Sequence, residues 1–215
     1  KIDYFLVPDL KYKFQRESLE LLNIPIQKLL SSEKFRHIET KGIVAVDHPY
    51  VIKNKPTEEI QNVPKWISTW LKNNLKPKQR YNKKKYPKKI YISRKDAVNH
   101  SGIRGITNEA EVEEYLQNNG FKTIILGSFH LTDQIKIFNN AKVIVGLHGA
   151  GFANIVFCKK NTKIIEIKPS TAGFMYANLA KTNNLSYSTI SIKSGRTKVD
   201  QHGQIEVSLK KLKKA

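Results

Sequence analysis

The chain has 215 residues, of which 40% are hydrophobic, which suits one large domain or two small lobes. Its single cysteine, Cys158, excludes an intrachain disulfide and a thiolate zinc site, and it indicates the cytoplasm as the natural compartment. The net charge of +20 favours anionic partners, but nucleic acid is disfavoured because there is neither zinc-finger spacing nor a basic region followed by heptads.

The first 75 residues are predicted to alternate between strand and helix. A strand is predicted at 4–7, a helix at 14–22 and a second strand at 41–46. A further helix is predicted at 63–75, with an apolar face made of Val63, Ile67, Trp70, Leu71 and Leu75. These elements are too few for a complete Rossmann-like lobe. Residues 1–75 are therefore expected to be the remnant of an N-terminal lobe, in a chain that is part of a longer protein.

Residues 76–89 are predicted to be a basic linker. Eight of these fourteen residues are basic, and prolines stand at Pro77 and Pro87. A solvated linker would have this composition. Such a stretch could also hold the protein against an anionic membrane face, so a peripheral membrane contact is expected as a possibility.

A regular alternation of strands and helices begins at residue 90. Strands are predicted at 90–92, 121–126, 142–147, 163–167 and 187–192. Helices are predicted at 108–119, with a capping box from Asn108 to Glu111, at 131–141, over a stretch ending at 157, and at 174–183. Continuous apolar strands separated by helices predict an α/β lobe with a parallel sheet covered on both faces. Ligands bind such lobes at the carboxyl ends of the strands.

The stretch 146–151, Gly-Leu-His-Gly-Ala-Gly, lies where a predicted strand passes into a helix. Its glycines let the backbone approach a ligand, and the beginning of the helix offers unpaired N–H groups to an anion. His148 could donate to a phosphate oxygen or protonate a departing one. The same glycines could simply make a tight connection. The chain contains no Gly-x-Ser-x-Gly elbow and no dinucleotide-binding spacing, which excludes an α/β-hydrolase and disfavours a nicotinamide dehydrogenase.

Four charged side chains are candidates for ligand contacts. Glu166 lies in a buried-strand pattern, where it could accept the hydroxyls of a ribose or make a structural pair. Arg94 ends the strand at 90–92 and suits bidentate contact with a diphosphate. Arg104 and Glu109 could bind a ligand or pair with each other.

No metal site is expected. The sequence has no Asp-x-Asp pair, and its histidines outside the glycine-rich stretch lack metal-ligand spacing: His37, His48, His100, His130 and His202. Cationic side chains and a helix end would therefore have to stabilise a leaving diphosphate.

Together these residues resemble glycosyltransferase family 61. The resemblance covers about 85–190, and it is carried by Tyr91-Ile92-Ser93-Arg94, Asn108-Glu109-x-Glu111, Val145-Gly146-x-His148-Gly149-Ala150-Gly151-x-Ala153-Asn154 and Ile165-Glu166. It implies a GT-B fold of two Rossmann-like lobes, with residues 90–215 as the donor lobe. It also implies inverting, metal-independent transfer from a nucleotide-sugar such as a UDP-sugar, for surface polysaccharide biosynthesis.

From the positions and chemistry of these residues we also expect particular roles for them. Arg94 and the helix end would hold the diphosphate, with His148 assisting as a catalytic residue, and Glu166 would hold the ribose. The predicted donor-binding residues are Ser93, Arg94, Arg104, Asn108, Glu109, His148, Gly149, Ala150, Gly151, Asn154 and Glu166. The acceptor would be a glycan or a lipid-linked glycan, and Asp47 and His48 are the candidates for the general base. The alternative is a non-catalytic α/β domain that binds nucleotides or polyanions.

Overall fold

The computed structural model describes residues 2–46, 61–76, 85–95, 105–193 and 204–215. The strands are β1 (Phe5–Val7), β2 (Leu29–Ser31), β3 (Lys89–Ser93), β4 (Lys122–Ile125), β5 (Val143–Leu147), β6 (Lys163–Pro169) and β7 (Ser186–Ile192). The α-helices are α1 (Lys13–Leu21), α2 (Lys65–Asn74), α3 (Glu109–Asn118), α4 (Leu131–Asn140), α5 (Met175–Thr182) and α6 (Leu209–Lys214). Short 3₁₀ helices lie at Ile26–Lys28, Leu126–Ser128 and Ala150–Phe157.

The main sheet has the strand order β4-β3-β5-β6-β7, and every neighbouring pair is parallel. From β3 the chain goes first to β4 on one side and later returns to β5 on the other. The order therefore reverses between β3 and β5. In open parallel sheets such a reversal leaves a crevice outside the carboxyl ends of the two strands, and this is where ligands bind.

Both faces of the main sheet are covered, as the sequence predicted. Alternate strand residues form two apolar clusters because successive side chains point to opposite faces. The first face packs under α4, the 3₁₀ helix Ala150–Phe157 and α5, and its strand residues include Ile90, Ile92, Ile144 and Ile164. The second face packs under α3 and α6, and its strand residues include Tyr91, Val145, Leu147, Ile165 and Ile167. The predicted α/β class with a parallel, two-sided sheet is confirmed.

The beginning of the chain forms a small parallel unit, in which β1 pairs with β2 and α1 lies between them. Strand β2 was not predicted, because it has three residues and follows the break at Pro25. The strand predicted at 41–46 is wrong. Those residues form no strand, and Ile43, Val44 and Val46 are 83%, 79% and 90% exposed. No strand in the described part of the chain pairs with them, so their β propensity is not supported by packing there.

Several contacts join the first 75 residues to the elements that cover the main sheet, and two of them show how. The Glu17 carboxylate on α1 accepts from the backbone N–H of Leu131 at 2.6 Å and so satisfies a free donor at the start of α4. On α2, Leu71 and Leu75 pack into the first apolar cluster. Trp70, predicted on the same apolar face, is instead 45% exposed. The division into residues 1–75, 76–89 and 90–215, and the two-lobed GT-B arrangement, stay predictions.

In the part of the chain that the structure describes, no helix is both long and apolar enough to cross a membrane.

Candidate functional site

The candidate site is formed by the residues that follow β3 and β5, where the strand order reverses. Ile92 pairs with Gly146, so the chain leaves both strands at the same edge of the sheet. There the side chain of Arg94 extends from the end of β3 to the residues after β5. One of its guanidinium N–H groups donates to the main-chain carbonyl of His148 at 3.1 Å. The predicted diphosphate-binding arginine and the glycine-rich turn are therefore neighbours in space.

The glycines of the turn are needed for close packing. A Cβ on Gly149 would come within 2.8 Å of a guanidinium nitrogen of Arg94, and one on Gly151 within 2.8 Å of a Leu126 methyl carbon. Gly149 precedes the 3₁₀ helix Ala150–Phe157, which confirms the predicted strand-to-helix transition but with 3₁₀ geometry. The missing side chain at Gly149 leaves the guanidinium lying directly against the backbone of the turn.

His148 is paired with the buried Glu166 of β6. The imidazole Nδ1 bonds to one carboxylate oxygen, and the hydroxyl of Tyr187 donates to the other. Glu166 is only 1% exposed, and these two bonds compensate its buried charge. Burial, and then the bond to Glu166, raise the pKa of Tyr187 well above its usual value, so this phenol stays a donor. From the sequence, Glu166 was expected to contact a ribose or to make a structural pair, and neither of the observed partners, His148 and Tyr187, was predicted. The role of Tyr187 was not predicted, because a tyrosine in a predicted strand does not indicate which residue its hydroxyl contacts.

The ring of His148 is also fixed by aromatic neighbours. Tyr176 of α5 meets it edge-on with ring centroids 5.0 Å apart, and Phe152 lies 5.4 Å from Tyr176. A carboxylate at Nδ1 favours the proton on that nitrogen, so in the neutral ring Nε2 carries the lone pair. Glu166 thus sets both the orientation and the tautomer of His148.

Ser93, which precedes Arg94 in the chain, is hydrogen-bonded to Glu109 at the start of α3. The hydroxyls of Ser93 and Tyr91 both donate to one oxygen of Glu109, at 2.9 and 3.0 Å. Ser93 is 2% exposed and Tyr91 is 1% exposed. Burial, and then the charge of Glu109, raise the pKa of Tyr91 far above its usual value. This cluster joins the end of β3 to the start of α3.

The amide side chains of Asn108 and Asn154, both predicted to bind the donor, bond to other parts of the protein. The side chain of Asn108 bonds to both main-chain groups of Val207, donating at 3.0 Å and accepting at 2.9 Å. The side chain of Asn108 makes no capping bond to the first turn of α3, so the predicted capping box is wrong. Its amide group bonds to Val207 instead. Asn154 donates to Gln134 on α4 and to the Gly151 carbonyl, both at 3.3 Å.

The structure thus brings Arg94, His148, Gly149 and Glu166 together at one edge of the sheet. Three predicted residues, Asp47, His48 and Arg104, lie outside the described residues. Within the described ranges, no group of three or more His, Cys, Asp or Glu side chains is arranged to hold a metal ion.

Comparison with known proteins identifies relatives of the chain. The family model for Glycosyltransferase 61 matches residues 3–165. Xylan glycosyltransferase MUCI21 of Arabidopsis thaliana is 34% identical over 117 residues, which cover 51% of this chain. The aligned region spans 22% of the length of that relative.

Proposed function

Because the chain belongs to glycosyltransferase family 61, we propose that it takes part in transferring a sugar from a nucleotide-sugar donor to a glycan hydroxyl. We further propose that the donor is a UDP-sugar, that the anomeric carbon is inverted and that no metal ion is required. The rival function, a non-catalytic binder of nucleotides or polyanions, makes a different prediction for the same variants.

One observation carries the proposal: Arg94, His148 and the glycine-rich turn meet at the carboxyl edge, where the strand order reverses. A guanidinium presents its N–H groups in the fork geometry that suits phosphate oxygens. The negative charge that develops on a leaving diphosphate is stabilised most by donors already in position, often by a few kcal/mol for each donor. Arg94 is held in such a position by the carbonyl of His148.

In the proposed reaction an acceptor hydroxyl attacks the anomeric carbon from the face opposite the diphosphate. A bond forms between the acceptor oxygen and the sugar, and the bond to the phosphate oxygen breaks with its electron pair. Arg94 stabilises the charge on the departing diphosphate. His148 assists beside it as an imidazolium, because with Nδ1–H held by Glu166 a hydrogen bond from Nε2 to a phosphate oxygen requires a proton on both ring nitrogens. The acceptor proton passes to a general base. Asp47 and His48 remain the candidates for that base.

Glu166 is proposed to act through His148. Both of its oxygens already bond to side chains and the residue is only 1% exposed, so the ribose contact suggested by the sequence would need the site around Glu166 to open. Its buried charge instead orients the imidazole and favours a proton on Nδ1.

The proposed acceptor is a polysaccharide or a lipid-linked glycan. The relative in Arabidopsis thaliana is called a xylan glycosyltransferase, which supports a polymer of sugars as the acceptor class. The net charge of +20 supports work at an anionic membrane face on the cytoplasmic side, in surface polysaccharide biosynthesis.

Calorimetric titration with UDP, GDP and CMP, with and without EDTA, tests the proposal. We expect one nucleotide to bind independently of EDTA, and Arg94→Ala and His148→Ala to weaken that binding at least about tenfold. Arg36→Ala removes an exposed arginine and should change nothing. Affinity that falls steeply with salt and ignores Arg94 would instead identify a polyanion binder.

A further inference from the structure

Lys168, near the end of β6, is a buried cation with few partners. The residue is 5% exposed. Its ammonium donates to the Gly173 carbonyl at 2.8 Å and lies 4.8 Å from the centroid of the Phe174 ring. Among the described residues no carboxylate lies within salt-bridge distance of this ammonium.

A buried ammonium with such partners is costly. Removing a charge from water costs several kcal/mol, and a partner of opposite charge is the usual compensation. One carbonyl and one ring face satisfy the three N–H donors incompletely. Glu166 lies two residues earlier on the same face of β6, but its oxygens bond to His148 and Tyr187 and lie beyond salt-bridge distance of the ammonium. Among the described residues, the ammonium of Lys168 is therefore left without a carboxylate in contact.

Lys168 also lies at the edge of the sheet that holds the candidate site. Strand β6 is the neighbour of β5, and Leu147 pairs with Ile167. The backbone N–H of His148 donates to the carbonyl of Ile167 at 2.7 Å, so the residues after β5 continue beside Lys168. Arg94, His148 and Lys168 thus follow one another along the carboxyl edge: Arg94 directly after β3, His148 directly after β5, and Lys168 near the end of β6.

Phe174 adds an exposed aromatic surface beside this cation. The residue immediately precedes α5 and is 65% exposed, unusually open for a phenylalanine. One part of its ring approaches the ammonium of Lys168, and most of the rest faces solvent. A cation next to an exposed ring matches a ligand that combines phosphate with a planar base.

We propose that Lys168 binds a phosphate oxygen of the nucleotide donor and that Phe174 stacks on its base. This inference rests on the proposed function and extends the donor site from β3 and β5 to β6. It also accounts for the burial of a cation without a carboxylate, because the bound phosphate would supply the missing charge.

Titration with inorganic pyrophosphate and with UDP separates the two roles. Lys168→Met should weaken binding of both probes by at least about tenfold, the effect of losing one charge-assisted hydrogen bond. Phe174→Leu should weaken UDP about fivefold or more and leave pyrophosphate unchanged, because only the base can stack. Lys163→Met is the matched control, since it removes an exposed lysine from the opposite end of the same strand and should leave both affinities unchanged.

Thermal unfolding without ligand distinguishes this role from a structural one. If Lys168 serves a ligand, Lys168→Met should unfold at the same or a higher temperature than the unsubstituted protein, because a costly buried charge is removed. A lower unfolding temperature together with unchanged pyrophosphate affinity would overturn the inference. It would show that Lys168 serves to stabilise the loop at Gly173. If the unsubstituted protein binds UDP and Lys168→Met binds it equally well, only the inference fails. If the unsubstituted protein binds neither probe, the proposed function fails with it.

Discussion

The guanidinium of Arg94 donates to the main-chain carbonyl of His148 just beyond the carboxyl ends of the paired strands β3 and β5. Arg94 is therefore both a candidate ligand contact and a support for the turn that carries the histidine. Changes to the turn should act on the arginine, and the glycines offer a direct way to test this.

Gly149→Ala should impair ligand binding more than stability. Its new Cβ would lie 2.8 Å from a guanidinium nitrogen of Arg94, the movable end of a long side chain. The backbone there is extended and accepts alanine, so we expect a stability loss below about 1 kcal/mol. Displacing the guanidinium should weaken nucleotide binding about tenfold. Denaturant unfolding and calorimetry measure the two effects.

Gly146→Ala is the contrasting variant. There a Cβ would lie 3.0 Å from the Cβ of Ile92 and 3.1 Å from a ring carbon of Phe152, and neither neighbour can easily move. We expect a stability loss of about 1–3 kcal/mol. Equal losses in the two glycine variants would contradict this account of the turn.

Glu166→Gln should lower turnover more than nucleotide affinity. The amide has nearly the same shape but no charge with which to orient His148 and hold its Nδ1 proton. Losing a charged hydrogen bond of about 1.5–3 kcal/mol corresponds to a fall of about ten- to hundredfold in the rate of donor cleavage. Steady-state kinetics with the nucleotide-sugar, compared with calorimetry on the nucleotide, separates rate from affinity.

Tyr187→Phe is the control for that variant, because it leaves the contact between His148 and Glu166 in place. It removes a donor from a buried carboxylate, so a stability loss of about 1–3 kcal/mol is expected with a smaller effect on rate. If both variants slowed the reaction equally, the contact with His148 would not be the important one.

Asn108→Ala should destabilise the docking of residues 205–207 without weakening nucleotide binding. The variant removes two bonds to the main chain of Val207, each worth about 0.5–1.5 kcal/mol. Hydrogen exchange at Val207 should become faster, because its N–H loses an acceptor. A large loss of nucleotide affinity with normal exchange would instead support the direct donor contact predicted from the sequence.

Cys158 should be inert in the folded protein. Burial raises the pKa of its thiol to about 12, and only the thiolate is nucleophilic. Labelling with a thiol reagent at mildly alkaline pH should be very slow in native buffer and rapid in denaturant. Rapid native labelling would mean that the 3₁₀ helix Ala150–Phe157 opens readily.

The sequence was most informative where local pattern and burial agree. Strands β3 to β6 are mostly apolar runs and β7 alternates apolar with hydroxyl side chains, and each was predicted to within about two residues at either end. The sequence was misleading at residues 41–46, because an apolar run predicts a strand only if a partner strand is available. Contacts between residues in different elements were not predicted from the sequence either. Nothing local to Glu166 indicates Tyr187, and nothing local to Lys168 indicates that its ammonium lies under Phe174.

The order of strands in the main sheet has a consequence for synthesis of the protein. Strand β3 is made first, yet one of its two neighbours, β5, follows it by about fifty residues. At about 5–20 residues per second the ribosome needs roughly 3–10 s to supply that neighbour. During this interval the backbone N–H and C=O groups on that edge of β3 are open to pairing with another chain. The strand order that creates the crevice outside the carboxyl ends of β3 and β5 therefore also exposes the nascent protein to aggregation.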